Sequence, residues 1–302
     1  VLGLVELLAQ THTDREQGQM LAMAQDSART LLTLLDDILD FSRIDSGRLA
    51  LESAPFDLRS LVDGVIGLFT AKAHAKDLRL YCVLDWRLAA EFAGDAVRVR
   101  QIITNLLSNA IKFTHRGQVE LRIELVEEHC AESGDLQKLR ITVSDTGIGI
   151  SAEQFLRLFR PFTQAESSTG RRFRGSGLGL IICQRLAGLM GGTVQLQSTP
   201  GMGTRAIFEL SLPVVAKLQP LPEFAGKQAV VCTQDPMFAV ELANALSSMG
   251  FSVVEVEASD LPSLDRDCAE LLLVDRRLAE AAQQPLRRCL LLDDAANQRL
   301  PA

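Results

Sequence analysis

The sequence predicts an α+β protein made of three units that follow one another along the chain. A long amphipathic helical pattern comes first, helices mixed with strands come next, and strands alternating with helices follow a proline-rich break. These patterns predict a helical hairpin, a mixed sheet with helices on one face, and an incomplete doubly wound α/β unit with an open parallel sheet. We place the units at residues 1–50, 51–215 and 227–302, with a linker at residues 216–226.

Composition limits the classes of protein to consider. The chain has 302 residues and a formal net charge of -7, which argues against a nucleic-acid-binding protein because such proteins present a basic face. Its six cysteines are scattered without a Cys-x-x-Cys pair, so we expect buried, reduced thiols rather than a zinc site. No apolar run approaches the ~20 residues that cross a membrane. Because the first residue is Val, we expect a piece of a longer protein, with any membrane anchor upstream.

Residues 1–47 predict two helices separated by a break. The first nine residues are apolar with Glu6 on one side, and the polar break after them ends at Asp14, a candidate N-cap. An apolar stripe over residues 21–42 recurs every three or four positions, and Gly47 is a candidate C-cap. A single helix cannot bury such a stripe, so we expect partner helices in a homodimeric four-helix bundle. Periodicity alone also allows an ordinary core helix.

The elements of the second and third units are predicted from the same periodicities. In the second unit we predict helices at residues 58–76, 95–113 and 178–190 and strands at residues 78–84, 118–126, 139–144, 193–197 and 205–212. In the third unit we predict strands at residues 228–232, 251–256, 270–274 and 289–292 and a helix at residues 236–249. Strands paired across turns favour a mixed sheet, whereas strand–helix alternation favours a parallel one.

The helix predicted at residues 95–113 carries two asparagines and a lysine on a polar face. Asn105 and Asn109 are four residues apart and therefore lie on one side of the helix. Amide oxygens suit Mg²⁺ beside phosphates, and Lys112 supplies positive charge for a triphosphate. Taken alone, the same pattern also describes a solvated helix face.

Asp145 stands where a predicted strand gives way to Gly147 and Gly149. Glycines permit a close approach of the backbone to a ligand. The carboxylate can accept a hydrogen bond from an exocyclic amine such as that of adenine. A plain Asp-Thr-Gly turn is the alternative.

A glycine-rich run leads into the helix predicted at residues 178–190. The run reads Gly175-Ser-Gly177-Leu178-Gly179. Such backbone at a helix N-terminus binds phosphate through its N–H groups and the helix dipole, although the spacing fits neither the Rossmann fingerprint nor the P-loop. The polar segment before the run contains Arg171 and Arg172 and is interpreted as a mobile lid over a nucleotide, with a plain surface loop as the alternative.

In this order and at these separations, the motifs resemble the ATP-binding domain of sensor histidine kinases, within the wider GHKL (Bergerat) family that includes gyrase, Hsp90 and MutL. Residues 95–114 resemble the N box, 145–149 the G1 box, 159–162 the F box, 175–179 the G2 box and 201–204 the last glycine turn. The resemblance implies ATP and Mg²⁺ as cofactors, with Asn109 (and Asn105) on the metal, Lys112 near the phosphates and Asp145 on adenine. It also implies nucleotide contacts by Gly147, Gly149, Phe159, Phe162, Arg171, Arg172, Gly175, Gly177, Leu178, Gly179 and Thr204.

One position in this resemblance separates a kinase from a hydrolytic ATPase. Hydrolytic relatives place a general-base glutamate one helical turn before the metal-binding asparagine. Here that position is Asn105, which cannot act as a base. The pocket is therefore expected to hold ATP for transfer to another group, and steady ATP turnover would favour a gyrase-type or Hsp90-type ATPase instead.

The phosphoacceptor of such a kinase is a histidine followed by an acid, and the chain contains no such pair. His12, His74, His115 and His129 are therefore interpreted as non-catalytic. Residues 40–47 resemble the end of the second helix of the kinase dimerisation domain, so the resemblance covers about residues 1–213. In the family the acceptor precedes a stretch resembling residues 1–8 by one or two helical turns, so we expect it just upstream.

The third unit resembles a degenerate receiver domain of two-component signalling. A working receiver carries an acidic pair after its first strand to bind Mg²⁺, and here residues 232–235 offer only Asp235. Asp275 matches the phosphoacceptor position and is kept as a vestigial candidate phosphosite, without the acids that metal-assisted transfer needs. We expect a structural or docking pseudo-receiver.

Together these expectations describe the cytoplasmic kinase core of a hybrid sensor histidine kinase that is anchored in the inner membrane at full length. It would bind Mg·ATP for phosphoryl transfer to the upstream histidine and dimerise through residues 1–47. Its phosphate would pass to a response regulator or a histidine phosphotransfer protein. The alternative is a regulatory pseudokinase or docking module that controls another sensor kinase through its helices.

Overall fold

The structure, a computed structural model, describes residues 8, 15–130, 134–155, 158, 177–217, 224–257, 259–260, 270–275 and 289–292. The first predicted helix, apart from Leu8, lies outside these residues, as do the N-cap predicted at Asp14 and the segment interpreted as a lid.

Helices and strands are mixed along the chain. The helices are α1 (Arg15–Asp45), α2 (Leu58–His74), α3 (Ala96–Phe113), α4 (Ala152–Phe155), α5 (Gly179–Leu189) and α6 (Pro236–Met249). The strands are β1 (Ala54–Phe56), β2 (Leu78–Leu84), β3 (Glu91–Gly94), β4 (Gly117–His129), β5 (Leu136–Asp145), β6 (Thr193–Thr199), β7 (Gly203–Ala216), β8 (Gln228–Cys232), β9 (Ser252–Glu255), β10 (Leu271–Asp275) and β11 (Cys289–Leu292).

Helix α1 ends at a left-handed glycine, as the sequence predicts. Gly47 has a φ of +65°, and the N–H of Arg48 donates to the carbonyl oxygen of Arg43 at 2.9 Å, which closes the last turn. Large apolar side chains along the helix are exposed, from 46% at Ile38 to 71% at Met23. The helix therefore presents an apolar stripe that the described part of the chain leaves in solvent.

The central unit is a mixed sheet with the strand order β1-β3-β7-β5-β4-β2, and β6 pairs with β7. The pair β2–β4 is parallel, while β4–β5, β5–β7 and β6–β7 are antiparallel. Helix α3 packs against both α2 and α5, and all three belong to one hydrophobic core with the sheet. The predicted α+β class is confirmed.

The two faces of this sheet differ because the side chains alternate along each strand. On β4, Val119, Leu121 and Ile123 are fully buried beneath the helices, whereas Glu120 and Arg122 point to the other side. The opposite face is polar and surrounds a hollow of about 460 Å³ that is lined mainly by charged and amide side chains. The helices therefore cover one face of the sheet, as predicted.

The C-terminal unit has a parallel sheet with the order β11-β10-β8-β9 among the described strands. In chain order this is 2-1-3-4, the arrangement of a doubly wound α/β fold. Helix α6 starts with Asp235 as its N-cap and Pro236 in its first turn, and it ends at Gly250 with a φ of +105°. A buried strand followed by a well-capped helix explains why sequence patterns located both elements.

Two sequence expectations need correction or completion. Cys183 and Cys232 are buried as expected, but Cys130 is exposed because it follows the end of β4, beyond the helix-covered part of the strand. In the described part of the chain, none of the helices has the length and apolar character that a membrane crossing requires.

Candidate nucleotide site

Helix α3 is built to bury one side and present the other. Asp95 caps its start, accepting a hydrogen bond from the Arg98 N–H at 3.0 Å through Oδ1. The apolar side, which includes Ile102 and Ile103, is fully buried against the sheet. The amide side chains predicted to bind the metal follow on the same helix and are half-buried.

The start of α5 lies directly against this polar side of α3. Gly179 is the first residue of α5, and a Cβ atom there would stand 2.9 Å from Oδ1 of Asn105. The two segments are 74 positions apart in sequence (179 minus 105), yet only a hydrogen atom fits between them. The glycine run and the asparagine helix are therefore neighbours. Gly177 has a φ of +68° and Leu178 is fully buried, so the chain turns sharply into the helix.

Asp145 ends β5 and folds its carboxylate back onto the backbone. Its Oδ1 accepts hydrogen bonds from the N–H of Gly147 at 2.8 Å and from the N–H of Thr204 at 3.3 Å. Burial raises the pKa of the Asp145 carboxyl above its ordinary value, and these two N–H donors oppose that rise. The aspartate thus links the G1-type loop to the last glycine turn.

The same loop rests on the C-terminal end of α3. The Ile148 N–H donates to the carbonyl oxygen of Phe113 at 3.3 Å, and a Cβ atom on Gly147 would meet that oxygen at 2.5 Å. The Gly201 N–H donates to the carbonyl oxygen of Ile148 at 2.8 Å. In the last glycine turn it is Gly203 whose Cβ atom would collide with the backbone of Asp145, so close packing of backbone against backbone explains the need for Gly147 and Gly203.

The structure brings together four of the sequence motifs: the helix with Asn105 and Asn109, the loop after Asp145, the start of α5 and the turn before Thr204. Lys112 lies in the last turn of α3, with its Nζ 4.8 Å from the centre of the Phe113 ring. The predicted contacts Phe159, Phe162, Arg171, Arg172 and Gly175 lie outside the described residues. Asp275 ends β10, but its side chain lies outside the description too.

A cavity of about 480 Å³ opens beside the loop after β5. It is lined by Ile150, Ala152, Phe155, Ser198, Thr199 and Pro200. None of the polar residues predicted to hold the nucleotide or the metal is in this lining. We therefore locate the nucleotide site from the contacts between motifs rather than from this cavity.

The described residues supply only part of the ligand set that a magnesium ion needs. In the described part of the chain, no cluster of three or more His, Cys, Asp or Glu side chains could hold a metal ion. The available donors are the amide oxygens of Asn105 and Asn109, which suit a hard cation whose remaining ligands are phosphate oxygens and water. The arrangement is thus compatible with a metal that arrives with a nucleotide.

Several positioning residues carry no sequence signal. Lys76 follows α2, and its Nζ donates to the carbonyl oxygens of Ile111 at 2.6 Å and Lys112 at 3.2 Å, which stabilises the end of α3. A single lysine in a polar turn gives no hint of this role. Only the three-dimensional packing of α2 beside α3 brings the ammonium group there.

A second set of contacts joins α1 to helices α3 and α5 of the central unit. Asp40 accepts hydrogen bonds from Nη1 of Arg98 at 3.1 Å and from Nε2 of Gln101 at 2.7 Å. Arg185 on α5 donates to Asp45 at 2.5 Å and lies 4.9 Å from the centre of the Phe41 ring. The end of α1 is therefore in contact with both helices that carry nucleotide-site motifs.

Comparisons with known proteins agree with this geometry. The family model described as His Kinase A (phospho-acceptor) domain matches residues 1–47. The model described as histidine kinase-, DNA gyrase B-, and HSP90-like ATPase matches residues 94–215. The second match includes α3, the loop after β5, the start of α5 and the last glycine turn.

Relatives of known name align over much of the chain. Sensor histidine kinase GacS of Pseudomonas protegens is 38% identical over 256 residues, which is 84% of this chain and 28% of that protein. Signal transduction histidine-protein kinase BarA of Escherichia coli is 39% identical over 212 residues, or 70% of this chain and 23% of that protein. This chain thus spans about a quarter of the length of these relatives.

Among solved structures, full-length ShkA in complex with AMPPNP superimposes with a TM-score of 0.71 at 28% identity. The match covers 96% of this chain and 60% of that one. The fold and the joined motifs define a nucleotide-binding domain of the histidine kinase type. The chain belongs to the sensor histidine kinases of two-component signalling.

Proposed function

We propose that this chain is the kinase core of a hybrid sensor histidine kinase and binds Mg·ATP at the junction of α3, the loop after β5 and the start of α5. The observation that carries the proposal is the contact between Gly179 and Asn105, with room only for a hydrogen atom between them. Because α5 begins at this contact, its N-terminal N–H groups and dipole favour phosphate oxygens next to the Asn105 amide.

Each end of the nucleotide has a chemically suitable partner. Asn109, together with Asn105, supplies amide oxygens for Mg²⁺, and Lys112 supplies charge near the phosphates. At the other end, the carboxylate of Asp145 accepts a hydrogen bond from the adenine amine, and Gly147, Gly149 and Thr204 shape the adjacent wall. Bound Mg²⁺ supplies neutralisation of the charge that develops on the transferred phosphoryl group.

The phosphoryl group is proposed to move to a histidine that lies upstream of residue 1. The asparagine at position 105 offers no general base for water, which favours transfer over hydrolysis. Phe159, Phe162, Arg171, Arg172 and Gly175 complete the proposed nucleotide contacts on the resemblance of their motifs alone.

The proposed partners follow from the architecture. The exposed apolar stripe of α1 supports a homodimer through residues 1–47. The C-terminal parallel sheet supports a receiver-like unit, and with it a relay to a response regulator or a histidine phosphotransfer protein. ATP as a substrate supports a cytoplasmic position for this part of a membrane-anchored protein.

The test is phosphorylation of a chain extended upstream to include the acceptor histidine. With labelled Mg·ATP, the wild-type protein should gain acid-labile phosphohistidine, and Asn109→Ala should lose it because the metal loses its protein ligand. Ser108→Ala is the matched control, since Ser108 is the exposed neighbour on the same helix. A protein that regulates a partner kinase equally well with Asn109→Ala would support the docking-module alternative and contradict the proposal.

A further inference from the structure

The outer face of β2 carries a buried apolar patch that the sheet unit itself does not explain. Tyr81 and Val83 are only 6% and 2% exposed. In the parallel register they pair with Glu120 and Arg122, so they point to the polar face of the sheet, away from the helices. Neither belongs to the core that the helices form with the sheet. Another part of the chain must therefore cover them.

Helix α6 of the C-terminal unit contacts β2. The hydroxyl of Tyr81 donates a hydrogen bond to Oδ2 of Asp235 at 2.5 Å. The backbone N–H of Cys82 donates to Oε1 of Glu241. Because β2 is the last strand of the sheet, its outward N–H groups lack a neighbouring strand, and Glu241 satisfies one of them.

The carboxylate of Asp235 accepts three hydrogen bonds in this arrangement. Its Oδ1 accepts from the N–H groups of Met237 at 3.0 Å and Phe238 at 3.4 Å, which caps α6, while Oδ2 accepts from Tyr81. Asp235 is also the acid that stands where a working receiver binds metal. These hydrogen bonds occupy three of the roughly four acceptor positions of the carboxylate, so a metal ion would have to bind the same oxygen, Oδ2, that accepts from Tyr81.

We propose that the C-terminal unit is docked on the ATP-binding domain through a clasp. The clasp consists of Tyr81, Cys82 and Val83 of β2, of Asp235 at the N-cap of α6 and of Glu241 in α6. In it, Asp235 acts as a docking group and not as a metal ligand. The occupant of this surface is the chain's own residues 224–257. The domains are joined covalently, since β7 ends at Ala216 and β8 begins at Gln228, and a short tether gives even a small interface a high effective concentration.

The charges around Glu241 make the clasp sensitive to pH. Burial first, and then the nearby charges of Asp235 and Glu120, raise the pKa of Glu241 to about 6, while the Cys82 N–H and Arg122 oppose the rise. Arg79 and Asp63 act on the same patch through Tyr81 and Cys82. Because its pKa is raised, Glu241 contributes fully to docking below its ordinary pKa of 4.5, and that contribution is lost as the pH rises through about 6.

Hydrogen exchange of the Cys82 amide in the whole chain tests the clasp at one atom. We expect Glu241→Ala to lower the protection factor of this amide about tenfold, the effect of one hydrogen bond. Glu241→Gln keeps an acceptor oxygen without the charge, so it should retain the protection. In the wild type we expect the protection to fall between pH of about 5 and about 7.5, and in Glu241→Gln we expect no such fall. Ser248→Ala at the far end of α6 should change nothing, since the Ser248 hydroxyl donates to the carbonyl oxygen of Ala245 within its own helix.

Two further measurements distinguish loss of the clasp from global unfolding and from metal binding. The amide of Val143, in the middle of the sheet on β5, should stay protected in every variant, which reports that the fold is intact. Millimolar MgCl₂ without nucleotide should leave Cys82 protection unchanged. The proposal is overturned if Glu241→Ala protects Cys82 as well as the wild type does, or if Mg²⁺ alone releases the amide.

Discussion

At the scale of single residues, Asp145 combines two opposing electrostatic influences. Burial raises the pKa of its carboxyl, and hydrogen bonds from the N–H groups of Gly147 and Thr204 lower it, with burial the larger effect. A carboxyl whose folded-state pKa is raised favours the neutral form in the native protein. Its contribution to stability is therefore present below the ordinary value of 3.8 and is lost as the pH rises through the raised pKa.

The variant Asp145→Asn should separate folding from binding. Near neutral pH we expect a gain in stability of less than about 1 kcal/mol, because the amide removes a partly solvated, unfavourably buried charge. ATP should bind about tenfold more weakly, since adenine loses a charged acceptor. Thermal unfolding at acid and neutral pH and calorimetric titration with ATP measure the two effects. A clear loss of stability at neutral pH would contradict the assignment of the raised pKa.

Gly179 offers a second test with a matched control in the same helix. A methyl group at Gly179 would stand 2.9 Å from Asn105 Oδ1, whereas a methyl group at Gly188 would meet nothing within 4 Å. We expect Gly179→Ala to push Asn105 aside and weaken Mg·ATP binding by about tenfold or more, comparable to the loss of one charged hydrogen bond. Gly188→Ala should leave binding unchanged and stabilise α5 by up to about 1 kcal/mol. Equal ATP affinities for the two variants, measured by calorimetry, would argue against the proposed site.

At the scale of elements, the end of α1 is fastened to the nucleotide-binding unit by two ion pairs of different burial. The Asp40–Arg98 pair is shielded, with side-chain exposures of 17% and 18%, while Asp45 and Arg185 are 60% and 36% exposed. Shielding makes the loss of one partner costly, because a charge is left in a poorly solvated place.

The variants Asp40→Ala and Asp45→Ala should therefore differ. Removing Asp40 leaves Arg98 and Gln101 without their shared acceptor, and we expect a loss of about 1–3 kcal/mol. Removing Asp45 breaks an exposed pair and should cost less than about 1 kcal/mol. Urea unfolding monitored by circular dichroism compares them, and equal midpoints for the two variants would refute the ranking.

The elements that the sequence predicted best share an identifiable local cause. The bounds of β2, β8, α6 and β11 match the prediction, since each is a short apolar strand or a helix with an Asp cap and a following glycine. The strands β1 and β3 were not predicted, because three or four residues are too few to show alternation. β4, β5 and β7 extend beyond their predicted ends, where their pairing with neighbours continues past the apolar pattern.

The residues of the candidate site also fall into two groups, those that local sequence motifs indicate and those that only the packing of separate elements brings together. Asn105, Asp145 and Gly179 lie in motifs whose residue types predict binding of a metal, of adenine and of phosphate, respectively. Sequence patterns therefore indicate them as site residues. The contacts of Lys76 with α3 and of Asp40 with Arg98 depend on how separate helices pack against each other. No local sequence pattern predicts such contacts. The Tyr81–Asp235 bond joins residues 154 positions apart and was equally out of reach.

At the scale of the whole molecule, the exposed stripe of α1 predicts association of two chains. Leu31, Leu35 and Ile38 are 58%, 48% and 46% exposed. A contiguous apolar surface of this kind on one helix is unusual in a monomeric protein and marks an interface. Two copies of such a helix bury the stripe in a bundle.

The variant Leu35→Asp should weaken the dimer, because each association would bury two unpaired carboxylates. We expect the dissociation constant to rise at least about a hundredfold. Leu68→Asp is the control, since Leu68 is 63% exposed but lies on α2. Sedimentation velocity measures both, and a dimer that tolerates Leu35→Asp as well as Leu68→Asp would exclude the stripe as the interface.

The central claim is that one pocket on this chain binds ATP with Mg²⁺ held by Asn109. Calorimetric titration with ATP, with and without Mg²⁺, tests it on the wild type and on Asn109→Ala. We predict that Mg²⁺ tightens ATP binding to the wild type, and that Asn109→Ala removes this gain while ATP still binds without the metal, because Asp145 and the glycine loops remain. Absence of ATP binding, or an equal gain from Mg²⁺ in both proteins, would contradict the account.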